Sequence, residues 1–279
     1  GFIVDPDRKK MSKSKGNVVT PADILEAHGT DAVRYWSASS RLGADAAFDP
    51  QNPTQVKIGR RLAIKVLNAA KFVLSFPVPE GAQVTHALDA AMLATLDQVV
   101  RDATKAFEAY DHARALEVTE AFFWTFCDDY LELVKERAYN QTDAGQASAA
   151  LALRLALSSL LRLLAPVLAF ATEEAWSWFE DGSIHTAAWP EPLEIAGDPA
   201  VLAAASAALI GIRRAKTEAK ASQKTPVARL VLRADDATIA ALRSAEGDLK
   251  AVGRIAELEL IGGGDALAVD AVELATEEV

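Results

Sequence analysis

The sequence predicts a mainly α protein in which four long helices form a bundle, with a small α/β segment before the bundle and a small α+β domain after it. Three observations support this class. Hydrophobic residues make up 51% of the 279 residues, and Ala and Leu, which favour helices, are prominent among them. Long stretches with helical periodicity fill the middle of the chain. Strand-like alternation is confined to the two ends.

The first segment, residues 1–52, is predicted to combine short strands with two short helices. Thr20 is expected to cap the first helix, because its hydroxyl can accept a hydrogen bond from the first turn. Thr30 or Asp31 is expected to cap the second helix in the same way. The other expected elements are a loop at 5–17 and extended stretches at 1–4, 18–19 and 46–49.

The bundle domain is predicted over residues 53–192. Its helices have apolar residues at helical spacing and are separated by short turns with Pro, Gly or Asp, as in an up-down bundle. Pro166 is expected to kink the fourth helix, because proline cannot donate the helical hydrogen bond. The predicted helices are 54–75, 87–110, 112–140 and 146–179.

The last domain, residues 193–279, is predicted to follow a boundary rich in proline at 189–199. Alternating residues at 255–261 and 266–274, joined by a turn with three glycines at 262–264, predict a β-hairpin. The other expected elements are helices at 200–219 and 235–244 and a strand at 227–233.

Composition excludes several classes of protein. Cys127 is the only cysteine, so a disulfide framework and a cysteine-based metal site are excluded, and no metal ligands are assigned. This cysteine usage is typical of a reducing, cytoplasmic compartment. The richest apolar stretch, 151–171, is interrupted by two arginines and a proline, so no membrane span is predicted. The chain starts at Gly1, without Met, and we expect a piece of a longer, monomeric protein.

The charge is unevenly distributed along the chain. The net charge is −10, which taken alone argues against nucleic-acid binding. Residues 54–79, however, hold five basic residues and no acid, and residues 212–224 hold five basic residues and one acid. By contrast, residues 234–279 hold eleven acids and three basic residues. Basic stripes on an acidic body are compatible with docking one polyanion along a defined track.

A basic loop, KMSKS at residues 10–14, is the most specific local motif. Two flexible ammonium groups, two hydroxyls and the backbone N–H groups near Gly16 are suited to neutralising phosphate oxygens. The simpler alternative is a solvated basic loop.

KMSKS followed by KGN resembles the second signature of class I aminoacyl-tRNA synthetases. Further stretches within residues 1–225 resemble the branch of this family that acts on large hydrophobic amino acids. These stretches are GTDAVRY at 29–35, GADAAF at 43–48, KVLNAAKF at 65–72, FWTFCDDYLE at 123–132, LAPV to EEAW at 164–176 and SI to WP at 183–190. The chain departs from the family at Ile64, Leu67 and Ala169, where Asn, Trp and Pro are usual.

The resemblance implies an anticodon-binding domain at 53–192, preceded at 1–52 by the signature loop and a segment that contacts the tRNA stem. It also implies a ligase that uses ATP with Mg²⁺ and transfers an amino acid to tRNA, although this fragment alone is expected to bind no cofactor and to be inactive. Lys13 is expected to contact the ATP phosphates as pyrophosphate leaves, with Lys10 assisting. The residues implied in ATP binding are Lys10, Met11, Ser12, Lys13 and Ser14.

Lys57, Arg61, Lys65 and Asn68 are spaced so that they fall on one helix face. We expect this face to follow tRNA phosphates, because the helix has no acid and a merely solvated face usually mixes both signs. The alternatives are a solvated face here and, for the whole chain, a stand-alone helical module that binds RNA or acts as a scaffold. The basic stripe from Lys216 to Lys224 is expected to meet either the inside of the tRNA elbow or the junction between domains, and the alternative is a solvated linker helix.

Overall fold

A computed structural model describes residues 1–140 and 142–275, which form two compact units. The first unit comprises Gly1–Ser75, Gln98–Phe122 and Ala156–Pro192; the second comprises Phe76–Asp97, Phe123–Leu155 and the described part of Leu193–Val279. The last four residues of the predicted domain 193–279 lie outside the described residues. The boundaries of the three predicted domains stay predictions.

Helices dominate the structure, which confirms the mainly α prediction. The predicted helix at 112–140 contains a π turn at Phe126–Tyr130, which the periodicity did not indicate. The predicted helix at 146–179 is divided in two at Pro166, because proline ends the hydrogen-bonded ladder rather than only bending it. The long helices and their continuations are α3 (Thr54–Leu74), α4 (Ala87–Glu108), α5 (His112–Thr125), α6 (Leu131–Tyr139), α7 (Gln146–Leu164) and α8 (Ala169–Trp176).

Helix α7 is long and apolar enough, by length and composition, to cross a membrane. However, 67% of its apolar window is buried inside the structure. Burial of this extent is typical of the core helix of a folded domain, which is hydrophobic on most of its surface.

The N-terminal part of the first unit contains strands β1 (Ile3–Val4) and β2 (Ala46–Ala47), which pair in parallel, and helices α1 (Ala22–His28) and α2 (Thr30–Ala38). The predicted cap at Thr20 is wrong: α1 begins one residue later, after Pro21, and no side chain caps it. The predicted strand at 18–19 is also wrong, because these residues are irregular in the structure.

Asp31 caps a helix other than its own. It is buried at the start of α2, and its carboxylate accepts hydrogen bonds from the backbone N–H of Phe170 (3.1 Å) and of Ala171 (2.7 Å) in the first turn of α8. The N-cap of α2 is Gly29, so the predicted caps at Thr30 and Asp31 are wrong. A carboxylate at a helix N-terminus satisfies free N–H groups and also interacts favourably with the helix dipole.

The C-terminal part of the second unit is an α+β domain built on a three-stranded sheet. Its strands are β3 (Val227–Arg233), β4 (Ile255–Ile261) and β5 (Ala268–Leu274), and its helices are α9 (Pro199–Glu218), α10 (Asp236–Arg243) and α11 (Glu246–Gly253). Helix α11 was not predicted.

The predicted hairpin of β4 and β5 is wrong. The strand order is β4-β3-β5, with β3 parallel to β4 and antiparallel to β5. The most apolar strand therefore lies in the centre, where Leu230, Val231 and Leu232 are buried. The glycine turn at 262–264 returns the chain past the end of β3, and Gly264 N donates to Ala234 O (3.0 Å). Arg229 of β3 pairs with Glu259 of β4 (2.5 Å) and more loosely with an acid of β5.

A buried ionic cluster lies in the second unit. Arg137 of α6 donates to both oxygens of Asp89 (2.8 Å each) and to both oxygens of Asp248 (2.9 Å each). The Tyr130 hydroxyl and the Ser148 hydroxyl also donate to Asp89, at 2.8 and 2.6 Å. Burial opposes the charged guanidinium, but the hydrogen bonds to the two carboxylates outweigh it and raise the pKa of Arg137 above its usual value. One cation thus neutralises two acids from α4 and α11.

Candidate functional site

The loop that contains residues 10–14 is an ordered structure rather than a solvated arm. It begins after β1, and Lys10 makes an antiparallel bridge with Val4. Lys13–Lys15 forms a single 3₁₀ turn, which ends at Gly16 with φ of 68°. This left-handed conformation is one that glycine adopts readily, so Gly16 allows the chain to leave the turn without strain.

Asn17 and Asp5 hold the loop in place. The Asn17 side chain accepts a hydrogen bond from Ser12 N (2.9 Å) and donates to Lys10 O (3.3 Å) and to Asp5 Oδ2 (2.9 Å). The other oxygen of Asp5 accepts from Lys9 N (2.7 Å). The hydrogen bond from Lys9 and then that from Asn17 lower the pKa of the Asp5 carboxyl.

The two predicted catalytic lysines form no ion pair in the described part of the chain. Lys10 and Lys13 are both exposed, and among residues 1–140 and 142–275 no carboxylate forms an ion pair with either. Lys9, by contrast, pairs with Asp7 (3.4 Å). Two exposed ammonium groups in one hydrogen-bonded loop are available to bind an anion, and a phosphate group offers the oxygen acceptors that such donors need.

The other motif residues occupy different environments. The hydroxyl oxygens of Ser12 and Ser14 lie 3.2 Å apart. Met11 is half-buried and packs against an apolar cluster that includes Ile24 and Phe48, so its side chain anchors the loop. The predicted contact of these three residues with ATP stays a prediction.

Helix α3 displays the second set of predicted residues. Lys57, Arg61 and Asn68 are exposed and Lys65 is half-buried, whereas the opposite face is buried. The helix contains no acid. Two further cations flank this face: the Arg60 guanidinium donates to Ala27 O, and the Lys71 ammonium lies 5.7 Å from the centre of the Trp178 ring.

Sequence analysis missed the residues that position the loop. Asn17 belongs to the KGN segment that follows the motif, and this segment is the signal that could have identified it. Asp5 lies twelve residues before Asn17 and belongs to no motif. No group of three or more His, Cys, Asp or Glu side chains arranged to hold a metal ion occurs in the described part of the chain.

Comparisons with known proteins agree with these features. The profile described as "Anticodon-binding domain of tRNA ligase" matches residues 89–232, which is more than half of the chain. The profile "tRNA synthetases class I (I, L, M and V)" matches residues 1–49, which include the loop. The two family profiles thus cover the predicted loop residues 10–14, and neither covers the predicted residues on α3.

Individual relatives give a consistent result. The valine–tRNA ligase of Leifsonia xyli subsp. xyli is 64% identical over 98% of this chain and 32% of its own length. The valine–tRNA ligase of Thermobifida fusca is 56% identical over 100% of this chain and 32% of its own length. The chain therefore spans about a third of the length of the curated relatives it matches.

A solved structure shares the fold. The ternary complex of Agrobacterium radiobacter K84 agnB2 LeuRS-tRNA-LeuAMS matches with a TM-score of 0.53 and 20% identity, over 84% of this chain and 25% of that chain.

The sequence also distinguishes between branches of the family. Residues 210–216, with Thr225 and Pro226, resemble the helix that follows the bundle in valyl-tRNA synthetases, which predicts valine as the amino acid and tRNA(Val) as the partner. The isoleucyl, leucyl and methionyl members were the alternatives. The two relatives confirm the resemblance to the valyl branch. The chain belongs to the tRNA ligase family that carries this anticodon-binding domain.

Proposed function

We propose that this chain is the part of a valine–tRNA ligase that carries the signature loop and the anticodon-binding helices. The observation that supports this most directly is 64% identity, over 98% of the chain, to a protein named valine–tRNA ligase. In the full-length enzyme, valine would be activated with ATP and Mg²⁺ and transferred to tRNA(Val). Cys127 is the only cysteine in the sequence, a composition typical of proteins from a reducing compartment, and we propose a cytoplasmic location and a monomer.

Within the loop, Lys13 is assigned to the ATP phosphates and Lys10 assists it. The leaving pyrophosphate gains negative charge, and a mobile ammonium group stabilises that charge more in the transition state than in the ground state. The support is geometric, because both lysines are exposed, have no described carboxylate partner and lie in a loop held by Asn17. Ser12 and Ser14 add hydroxyl donors, and Met11 anchors the turn.

Lys13→Ala in the full-length enzyme tests this assignment. We expect ATP–pyrophosphate exchange to fall by at least ~100-fold, the order of magnitude lost when one transition-state donor is removed. Lys15→Ala is the matched control, since Lys15 is exposed on the same turn and is assigned to solvent. Equal exchange rates in the two variants would refute the role of Lys13.

The exposed face of α3, defined by Lys57, Arg61, Lys65 and Asn68, is proposed to bind tRNA at or near the anticodon. The support is the absence of acids from this helix, in a chain whose net charge is −10. Phosphate contacts made by such cations give binding whose strength depends steeply on salt.

The corresponding experiment measures binding of the chain to tRNA transcripts with valine, isoleucine and methionine anticodons across a salt series. Preference for the valine anticodon is expected, and Arg61→Glu or Lys57→Glu should each lower the salt slope by about one. Lys105→Glu, an exposed position on α4, is the charge-matched control. Unchanged affinity and slope in both α3 variants would remove this face from the proposal.

A further inference from the structure

A groove of about 430 Å³ lies in the second unit, among α6, α9 and α11. Its charged lining residues are five cations and two carboxylates: Lys135, Arg213, Lys216, Lys224, Arg254, Glu132 and Glu136. The groove is thus locally positive, whereas the chain has a net charge of −10. Two of these cations, Lys216 and Lys224, belong to the basic stripe for which the sequence allowed either a functional contact or a solvated linker helix.

The cations of the groove differ in how they are neutralised. Glu132 is 3.4 Å from Lys135, and Arg213 is 3.4 Å from Asp129. Lys216, Lys224 and Arg254 form no ion pair with any carboxylate among the described residues. Once Glu132 is assigned to Lys135 and Asp129 to Arg213, these three cations remain against one further lining carboxylate, Glu136, so the groove keeps a net positive charge.

Their hydrogen bonds bring the three residues together. The buried Lys216 ammonium donates to Gly253 O (2.9 Å) and to Gln223 O (3.1 Å), the residues that precede Arg254 and Lys224 in the chain. Arg254 Nη1 in turn donates to Lys224 O (3.1 Å). Burial and then the charge of Arg254 lower the pKa of Lys216, which reflects a cation next to another cation without an intervening acid.

An ammonium group has three donors, and two of those on Lys216 are taken by carbonyl oxygens in the described structure. The backbone at this end of the groove is also held in an uncommon conformation. Arg254, which follows the last residue of α11, has φ of 52°. Residues other than glycine adopt this left-handed region at a cost of about 1 kcal/mol or more. The fold therefore maintains both unneutralised charge and backbone strain here.

We propose that this groove binds phosphate groups of an RNA backbone, as a contact additional to the face of α3. The occupant follows from charge, because a groove with three unpaired cations is stabilised by a polyanion whose phosphates are spaced along a chain. Lys224 and Arg254 are exposed and contact the phosphates, while Lys216 holds the two segments that carry them. The identification of this RNA as tRNA rests on the proposed function.

The test uses the 279-residue chain and a tRNA(Val) transcript in a salt series. Lys224→Glu is the principal variant, since its side chain is exposed and makes no described contact that folding would need. Arg254→Gln is the second variant. Arg243→Glu is the control, because Arg243 is exposed on α10 outside the groove and the substitution changes the charge by the same amount as Lys224→Glu.

Each groove variant is expected to bind about three- to tenfold more weakly near 0.1 M salt, with a salt slope smaller by roughly 0.7–0.9, as for one lost phosphate contact. The Arg243 control should leave both quantities unchanged. Acylation of Lys224, followed by mass spectrometry, should be slowed by bound tRNA and not by millimolar inorganic phosphate.

Three results would overturn the inference. In the first, Lys224→Glu and Arg254→Gln bind tRNA as tightly as the unmodified chain, whereas Lys57→Glu binds it more weakly. The groove is then excluded as a tRNA contact, and the proposal for the α3 face is retained. In another, inorganic phosphate alone protects Lys224, which identifies a small-anion site. In the third, the unmodified chain does not bind tRNA, which refutes RNA binding by the groove of this chain, whereas the assignment to a valine–tRNA ligase rests on sequence identity and is tested separately by Lys13→Ala in the full-length enzyme.

Discussion

Replacing Arg137 by Met tests the energetic role of the buried ionic cluster. The substitution keeps much of the apolar stem but removes four hydrogen bonds to Asp89 and Asp248 and a fifth to Gly145 O (3.0 Å). The side chains of the three charged residues are at most 6% exposed, so water cannot replace the guanidinium without rearrangement. Two carboxylates would then share a buried site without a counter-ion.

The expected loss follows from the partners that remain. Breaking a buried ion pair by removing one partner costs about 3–5 kcal/mol. Asp89 would keep its hydrogen bonds from Tyr130 and Ser148, whereas the contact that Asp248 would keep within the described part of the chain is the His86 ring at 3.9 Å. Because one carboxylate keeps neutral donors and the other is nearly unsolvated, we expect a loss of about 4 kcal/mol in the free energy of unfolding near neutral pH.

Urea unfolding followed by circular dichroism measures this loss. Arg114→Met is the control: its ion pair with Glu117 is 57% exposed on both sides and should contribute less than about 1 kcal/mol. Equal losses in the two variants would refute this account.

Other predictions concern the loop, a cap and the groove. Asn17→Ala should speed amide exchange of Ser12 by about fivefold or more, as expected for a lost hydrogen bond, and unchanged exchange by NMR would exclude this role. Hydrogen bonds lower the pKa of Asp5, so its carboxylate should stabilise the loop fully above its usual pKa of 3.8 and lose this effect as pH falls through the lowered value. The loss should appear as faster amide exchange of the loop in acid. Asp31→Ala should cost about 1–2 kcal/mol in urea unfolding, and Asp31→Asn less. The lowered pKa of Lys216 means that its charge destabilises the folded state, and this destabilisation disappears as the lysine loses its proton. The unmodified chain should therefore gain stability between pH 8 and 10.5, and Lys216→Met should lack this gain.

The local features of the fold were predictable from sequence. Helix α3 was expected at 54–75 and is found at Thr54–Leu74, because its apolar residues recur at helical spacing between Pro53 and Pro77. The loop at residues 10–14 was identified by its motif alone. In both cases the deciding information lies within one short stretch of sequence.

Features that depend on distant partners were not predictable. Asp31 was expected to cap its own helix, but its carboxylate accepts hydrogen bonds from the N–H groups of Phe170 and Ala171, which are 139 and 140 residues further along the chain. The predicted pairing of β4 with β5 was wrong for the same reason. The turn at 262–264 is typical of a hairpin, whereas the order of the strands is decided by which strand can be buried on both faces. The short helix α11 contains Gly247, which weakens a helical pattern, and its place is fixed by the ion pair of Asp248 with Arg137.

The strand order also bears on how copies of this chain behave in concentrated solution. Strands β4 and β5 are both edge strands, and a row of unpaired backbone groups at an edge is a template for joining another sheet. Glu257 and Glu259 extend from one edge strand and Asp270 and Glu273 from the other. Three of these four acids pair with Arg229 or Arg233 of β3, so another strand could join either edge only by covering charged, ion-paired side chains, which disfavours association of neighbouring molecules.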